Sequence, residues 1–151
     1  MAHPGDIAVL VVDGDPARRD RTVAALSSCC EPARIVAAGT AAQAQDFLFA
    51  RGAYAGRDVR KPPRFVLLDL RLPDGDGIDI LKAMRADPDS QGIPVIMLTA
   101  VSDKAELDRC YESGANSVVR HTDDDVELGR RMKQVYEFWV QVNEANRPSR
   151  V

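Results

Sequence analysis

Three polar residues in this chain follow directly on apolar runs: Asp13 after "AVLVV", Asp69 after "FVLL" and Thr99 after "PVIML". His121 comes just past a fourth run, "SVVR". A carboxylate at a strand end can attack the phosphorus of a phosphoryl group and form an aspartyl phosphate, provided a cation neutralises the incoming oxygens. Magnesium suits that task, because it prefers hard oxygen ligands and keeps several of its waters. The chemistry needs an acceptor carboxylate, neighbouring acids for the cation, and a hydroxyl and a basic group for the phosphoryl oxygens. Asp69, then Asp13 with Asp15, then Thr99 with Arg120 or His121 supply that set. Ordinary structural duties compete for the acids: Asp15 stands before Pro16, the pattern of a helix cap followed by proline at the first helical position.

These residues converge only if the right elements carry them. Ile7 to Val12, Phe65 to Leu68 and Pro94 to Leu98 are continuous apolar runs, as expected of strands buried on both faces. Ala33 to Ala38 and Ser117 to Arg120 are weaker runs that complete a set of five. Helical stretches lie between them, with caps expected at Asp15, at Thr40 with Gln43, at Asp103 with Glu106 and at Thr122 with Asp125. Gly114 is placed to end the helix begun near Asp103. This alternation predicts an α/β fold: a doubly wound five-stranded parallel sheet with helices on both faces. Such sheets bind ligands outside the carboxyl ends of their strands, where Asp13, Asp69 and Thr99 fall.

The chain has 151 residues, 45% hydrophobic and 28% charged, with a net charge of -3. That size and composition suit one domain with a real core, and they imply no nucleic-acid partner. We expect a single domain over 1–151, with its core at about 6–146 and a polar insertion at about 51–64. Three cysteines, two of them adjacent at Cys29 and Cys30, form no disulfide framework, and no apolar stretch is long enough to span a membrane, so a cytoplasmic location is expected. With His3 and His121 the only histidines, hydrolase triads and histidine metal sites lack material. A calcium loop around Asp74, Asp76 and Asp79 fails too: with Gly77 sixth, Leu72 falls first and Ala83 stands where the bidentate Glu belongs.

The last helix is expected to run from about Thr122 to Asn146. Leu128, Met132, Val135, Trp139 and Val142 form one apolar stripe, with Tyr136, Phe138 and Val140 off it. So many aromatics in one short stretch exceed the need of a single buried face, and we expect Tyr136, Phe138 and Trp139 to form a homodimer interface.

"VLVVDGDP", "FVLLDLRLPDGDGIDIL", "IPVIMLTA" and "SGANSVVRH" resemble, in that order, the signatures of CheY-like response-regulator receiver domains. The resemblance covers nearly the whole chain and implies a flavodoxin-like sheet of order 2-1-3-4-5. The insertion and the aromatic final helix further resemble the single-domain regulators associated with phytochrome-type histidine kinases. Carried over residue by residue, Asp69 matches the phosphoacceptor and Thr99 the hydroxyl that follows the phosphoryl group. Ala100 matches the small residue beside it, and Arg71 would lend its backbone carbonyl to the metal. Asp13 matches the first of the usual pair of acids, but Gly14 stands in place of the second, so a weakened Mg2+ site is expected, with Asp15 or water filling the vacancy. His121 takes the place of the usual lysine, and Val118 that of the aromatic switch residue.

The resemblance implies a non-enzymatic phosphorelay protein that accepts phosphoryl on Asp69 from a histidine kinase and signals to an unknown downstream protein by contact. The competing reading is a pseudo-receiver that binds partners without phosphorylation.

Overall fold

The structure, a computed structural model, describes residues 6–100 and 103–146; His3 lies outside them. Each strong apolar run becomes a strand with every residue buried: β1 (Val9–Val12), β3 (Phe65–Leu68) and β6 (Val95–Thr99). The weaker runs give the edge strands β2 (Ile35–Ala38) and β7 (Ser117–Arg120), which are only partly buried. All five pair in parallel in the order β2-β1-β3-β6-β7. Among the described residues, a short hairpin of two-residue strands, β4 (Arg71–Leu72) with β5 (Gly75–Asp76), is the one addition to the expected five.

Side chains alternate across a strand, so each buried strand feeds two cores. Leu10, Val12, Val66, Leu68, Val95 and Met97 face one way, onto α2 (Ala41–Leu48), α3 (Gly77–Ala86) and α4 (Lys104–Glu112) through residues such as Phe47, Leu81, Met84 and Cys110. Val9, Val11, Phe65, Leu67, Ile96 and Leu98 face the other, onto α1 (Pro16–Leu26) and α5 (Asp125–Tyr136) through Leu26, Leu128, Met132 and Tyr136. Each such aliphatic side chain contributes roughly 1.5–3 kcal/mol by leaving water.

Most caps form where expected. Asp15 accepts from the Ala17 and Arg18 N–H groups, Thr40 from Gln43 and Asp103 from Glu106. Gly114 follows α4 with φ +109°, a conformation that glycine adopts without strain. The cap of α5 differs. Asp124, not Thr122, accepts from Val126 and Glu127, while the Thr122 hydroxyl accepts from the Asp124 N–H and shapes the turn before it.

The C-terminal helix also departs from the expected stripe. Its α-helical part ends at Tyr136, and Glu137–Val142 continues as π-helix, with the Asn143 N–H donating to the Phe138 carbonyl five residues back. Leu128, Met132 and Tyr136 form the buried row of the α-helical part, and past the change of pitch Val142, expected on that stripe, is exposed.

The insertion is organised by one guanidinium. Arg57 lies 4.3 Å from the Phe47 ring centroid and donates to the carbonyls of Phe47, Leu48, Asp58 and Lys61. Tyr54 packs edge-on against the same ring. Among the described residues, no helix is long and apolar enough to cross a membrane.

Candidate functional site

Sheet register brings the candidate residues together. Val12 pairs with Leu68, so Asp13 and Asp69 leave adjacent strands side by side, and the Asp69 N–H donates to the Val12 carbonyl. Thr99 ends β6 next to β3, and the His121 N–H donates to its carbonyl. Asp13, Asp69 and Thr99 are 3%, 7% and 3% exposed, while Ala100 lies at the surface. Gly77 completes this rim: its N–H donates to the Leu70 carbonyl, and a Cβ there would collide with the Asp69 carbonyl oxygen.

Two buried carboxylates side by side repel each other unless a cation joins them. Here the cation is Arg18, on the first turn of α1, a residue that no sequence motif marks for the site. Its Nε donates to Asp13 Oδ2 at 2.8 Å, and its Nη2 donates to Asp13 Oδ1 at 2.9 Å and to Asp69 Oδ2 at 2.6 Å. The Leu70 N–H holds Asp69 Oδ1 at 2.8 Å, and the Asp15 N–H holds Asp13 Oδ1 at 2.9 Å. Burial, then the Asp13 charge, push the Asp69 carboxyl above the usual range, and Arg18 opposes them. The hydrogen bond to Asp13 raises the already high pKa of Arg18.

Asp15 does not join this group: it is exposed, and its carboxylate is turned to the helix N-terminus as a cap. Gly14 leaves no room for a second acid, since a Cβ there would lie 2.7 Å from Pro73 Cδ. Arg71 directs its guanidinium away, to Glu106 at 3.5 Å. Among the described residues no group of three or more His, Cys, Asp or Glu side chains is arranged to hold a metal. Magnesium needs several oxygen donors open to it, and Arg18 already lies across one oxygen of each acid, Asp13 Oδ2 and Asp69 Oδ2. The residues as arranged therefore do not fit a divalent cation.

His121 is half-buried, and its Nε2 has no hydrogen-bond partner among the described residues. Burial, then Arg18 and Arg21, push its pKa down, so it is a neutral group and not the cation that the lysine position would supply. Arg120 is exposed at the end of β7, and Val118 packs against the larger core. Of the three C-terminal aromatics, Tyr136 is buried within the protomer, Trp139 packs half-buried against the same core, and Phe138 is 47% exposed.

A parallel sheet of this order, with paired acids at the carboxyl ends of β1 and β3 and a threonine ending β6, defines a class, and the comparisons agree on which. The family model described as response regulator receiver domain matches residues 9–133, and the chain belongs to that family. Within it, the phosphorylated cyanobacterial phytochrome response regulator RcpA superposes with a TM-score of 0.83 at 26% identity, covering 98% of this chain and 100% of that one. The bacteriophytochrome response regulator AtBRR gives 0.71 at 32% identity, covering 91% and 98%. Curated relatives include the probable methanogenesis regulatory protein FilR2 of Methanothrix harundinacea, 33% identical over 60% of this chain and 58% of its own length. The DNA-binding response regulator MtrA of Mycolicibacterium smegmatis is 33% identical over 83% of this chain and 48% of its length. The chain thus spans about half of these two relatives.

Proposed function

We propose that this chain is a phosphate-switched signalling module in which Asp69 accepts a phosphoryl group from the phosphohistidine of a histidine kinase. The observation that carries the reading is the placement of Asp69: a nearly buried carboxylate at the end of a central strand, one oxygen fixed by the Leu70 N–H, beside a threonine on the neighbouring strand. In the transfer, Asp69 Oδ2 attacks phosphorus and the P–N bond breaks. Its electron pair stays on the imidazole nitrogen, which takes up a proton. Arg18 must leave Oδ2 for the attack, and Thr99 is the hydroxyl nearest in register to meet the phosphoryl oxygens. Likeness to phytochrome response regulators supports a phytochrome-type kinase as donor, and a downstream protein reads the changed rim by contact.

A second reading, a contact module that is never phosphorylated, is favoured by the capping of Asp69 Oδ2 by Arg18. Incubation with acetyl phosphate, in EDTA and in magnesium, followed by intact mass, separates the two. We expect one added phosphoryl group on the wild type and none on Asp69→Ala. A folded protein that gains none from acetyl phosphate or from a kinase would establish the second reading. Self-association belongs to the same proposal, with Phe138 and Val142 as the exposed apolar side chains of the π-helical segment Glu137–Val142.

A further inference from the structure

We propose that Arg18 is the resident cation of the acid pocket and keeps divalent metal ions out of it. The guanidinium lies between Asp13 and Asp69, where an ion bridging these carboxylates would have to sit. It meets Asp13 through both Nε and Nη2, and Nη2 also reaches Asp69, so one planar group joins both acids. Each of the four carboxylate oxygens accepts at least one N–H, from Arg18, Asp15 or Leu70, and Arg18 itself lies across one oxygen of each acid, Asp13 Oδ2 and Asp69 Oδ2, so an ion bridging those two oxygens has to displace the guanidinium.

The surrounding chain fits this arrangement. Two carboxylates and one guanidinium leave the pocket with a single net negative charge, a weak attraction for a dication beside a group that does not lose its proton. Gly14, with Pro73 packed against it, removes both the third carboxylate and the space for one. Asp15, the nearest acid left, accepts from the backbone N–H of Arg18 itself and so anchors the turn that aims the guanidinium inward. Pro16 at the first helical position stiffens the same turn. The inference deepens the proposed function by naming the positive charge at that site, yet the occupancy of the pocket by Arg18 can be tested without phosphorylation.

The test is Mn2+ binding, read from the electron paramagnetic resonance signal of free Mn2+, on the wild type and on Arg18→Met, with Arg18→Met/Asp13→Asn as control. Removing the guanidinium should tighten binding on the order of tenfold or more, and the Asp13 change should abolish the gain. Equal affinity in wild type and Arg18→Met would overturn the proposal, as would a gain that survives Asp13→Asn. Should Arg18→Met fail to fold, the Nε–H resonance of Arg18 in the wild type decides. A hydrogen-bonded signal unmoved by millimolar Mg2+ supports a resident cation, and its saturable displacement overturns one. A phosphorylation test that fails while the Mn2+ result holds removes the proposed function and leaves Arg18 in place; the reverse pattern removes only the cation.

Discussion

At the scale of single residues, Arg18 joins Asp13 and Asp69 in the acid pocket, with a glycine at position 14 beside them. Gly14 was visible in the sequence as a missing acid; Arg18 was not, because nothing in "DGDPARRD" says which of Arg18 and Arg19 turns inward. The fold decides: Arg18 reaches the two carboxylates, whereas Arg19 donates to the Asp13 backbone carbonyl. His121 carries a pH prediction from the same neighbourhood. Its folded-state pKa lies below the ordinary value of about 6.5, so below that pH the unfolded chain binds more protons than the folded one. The stability contributed by a neutral His121 is full above about pH 6.5 and is lost as the pH falls through the lowered folded value. Melting temperature should therefore drop between pH 7.5 and 5.5, and His121→Gln should flatten that slope; an unchanged slope would assign it to other groups.

Among the elements, legibility tracked how local the signal was. Continuous apolar runs marked β1, β3 and β6, and the side-chain caps of α1, α2 and α4 sit where the spacing of Asp, Thr and Pro put them. The α5 cap moved from Thr122 to Asp124 because the run from Thr122 to Asp125 offers several capping side chains and packing selects among them. The final helix could not be read by a 3.6-residue period, since π-helical geometry begins at Glu137 and shifts the phase there. Tyr136, expected at an interface, is a core residue because it lies before that shift, on the same α-helical row as Leu128 and Met132. Asp74 and Asp76 bind their own neighbourhood: Asp74 accepts from the Ala41 and Ala42 N–H groups at the start of α2, and Asp76 caps α3 and pairs with Arg109 of α4. These acids stitch the loop after Asp69 to the helices on one face, a role no local motif announces.

For the whole molecule, the two faces of the sheet are tied to the site unequally. Helices α1 and α5 pack together on one face, and Arg21 joins them by donating to the Asp125 carboxylate and the Thr122 carbonyl, three residues along α1 from Arg18. Displacement of Arg18 from Asp69 would thus be felt first at the α1–α5 face. Beyond α5, the exposed aromatic Phe138 is the group whose burial a dimer would gain. Sedimentation should show the wild type as a dimer and Phe138→Ser shifted toward monomer; a monomeric wild type would end that reading. The insertion before β3 has a consequence for proteolysis. Its basic residues look like a row of trypsin sites, but the Arg57 side chain is held by four backbone carbonyls and an aromatic ring, and Lys61 precedes Pro62. Arg60, its side chain 63% exposed, and the exposed Arg51 are the accessible sites, so brief digestion should nick there before Arg57 or Lys61. A segment that reads as a polar insertion would then be cut at two of its basic residues and not along its length.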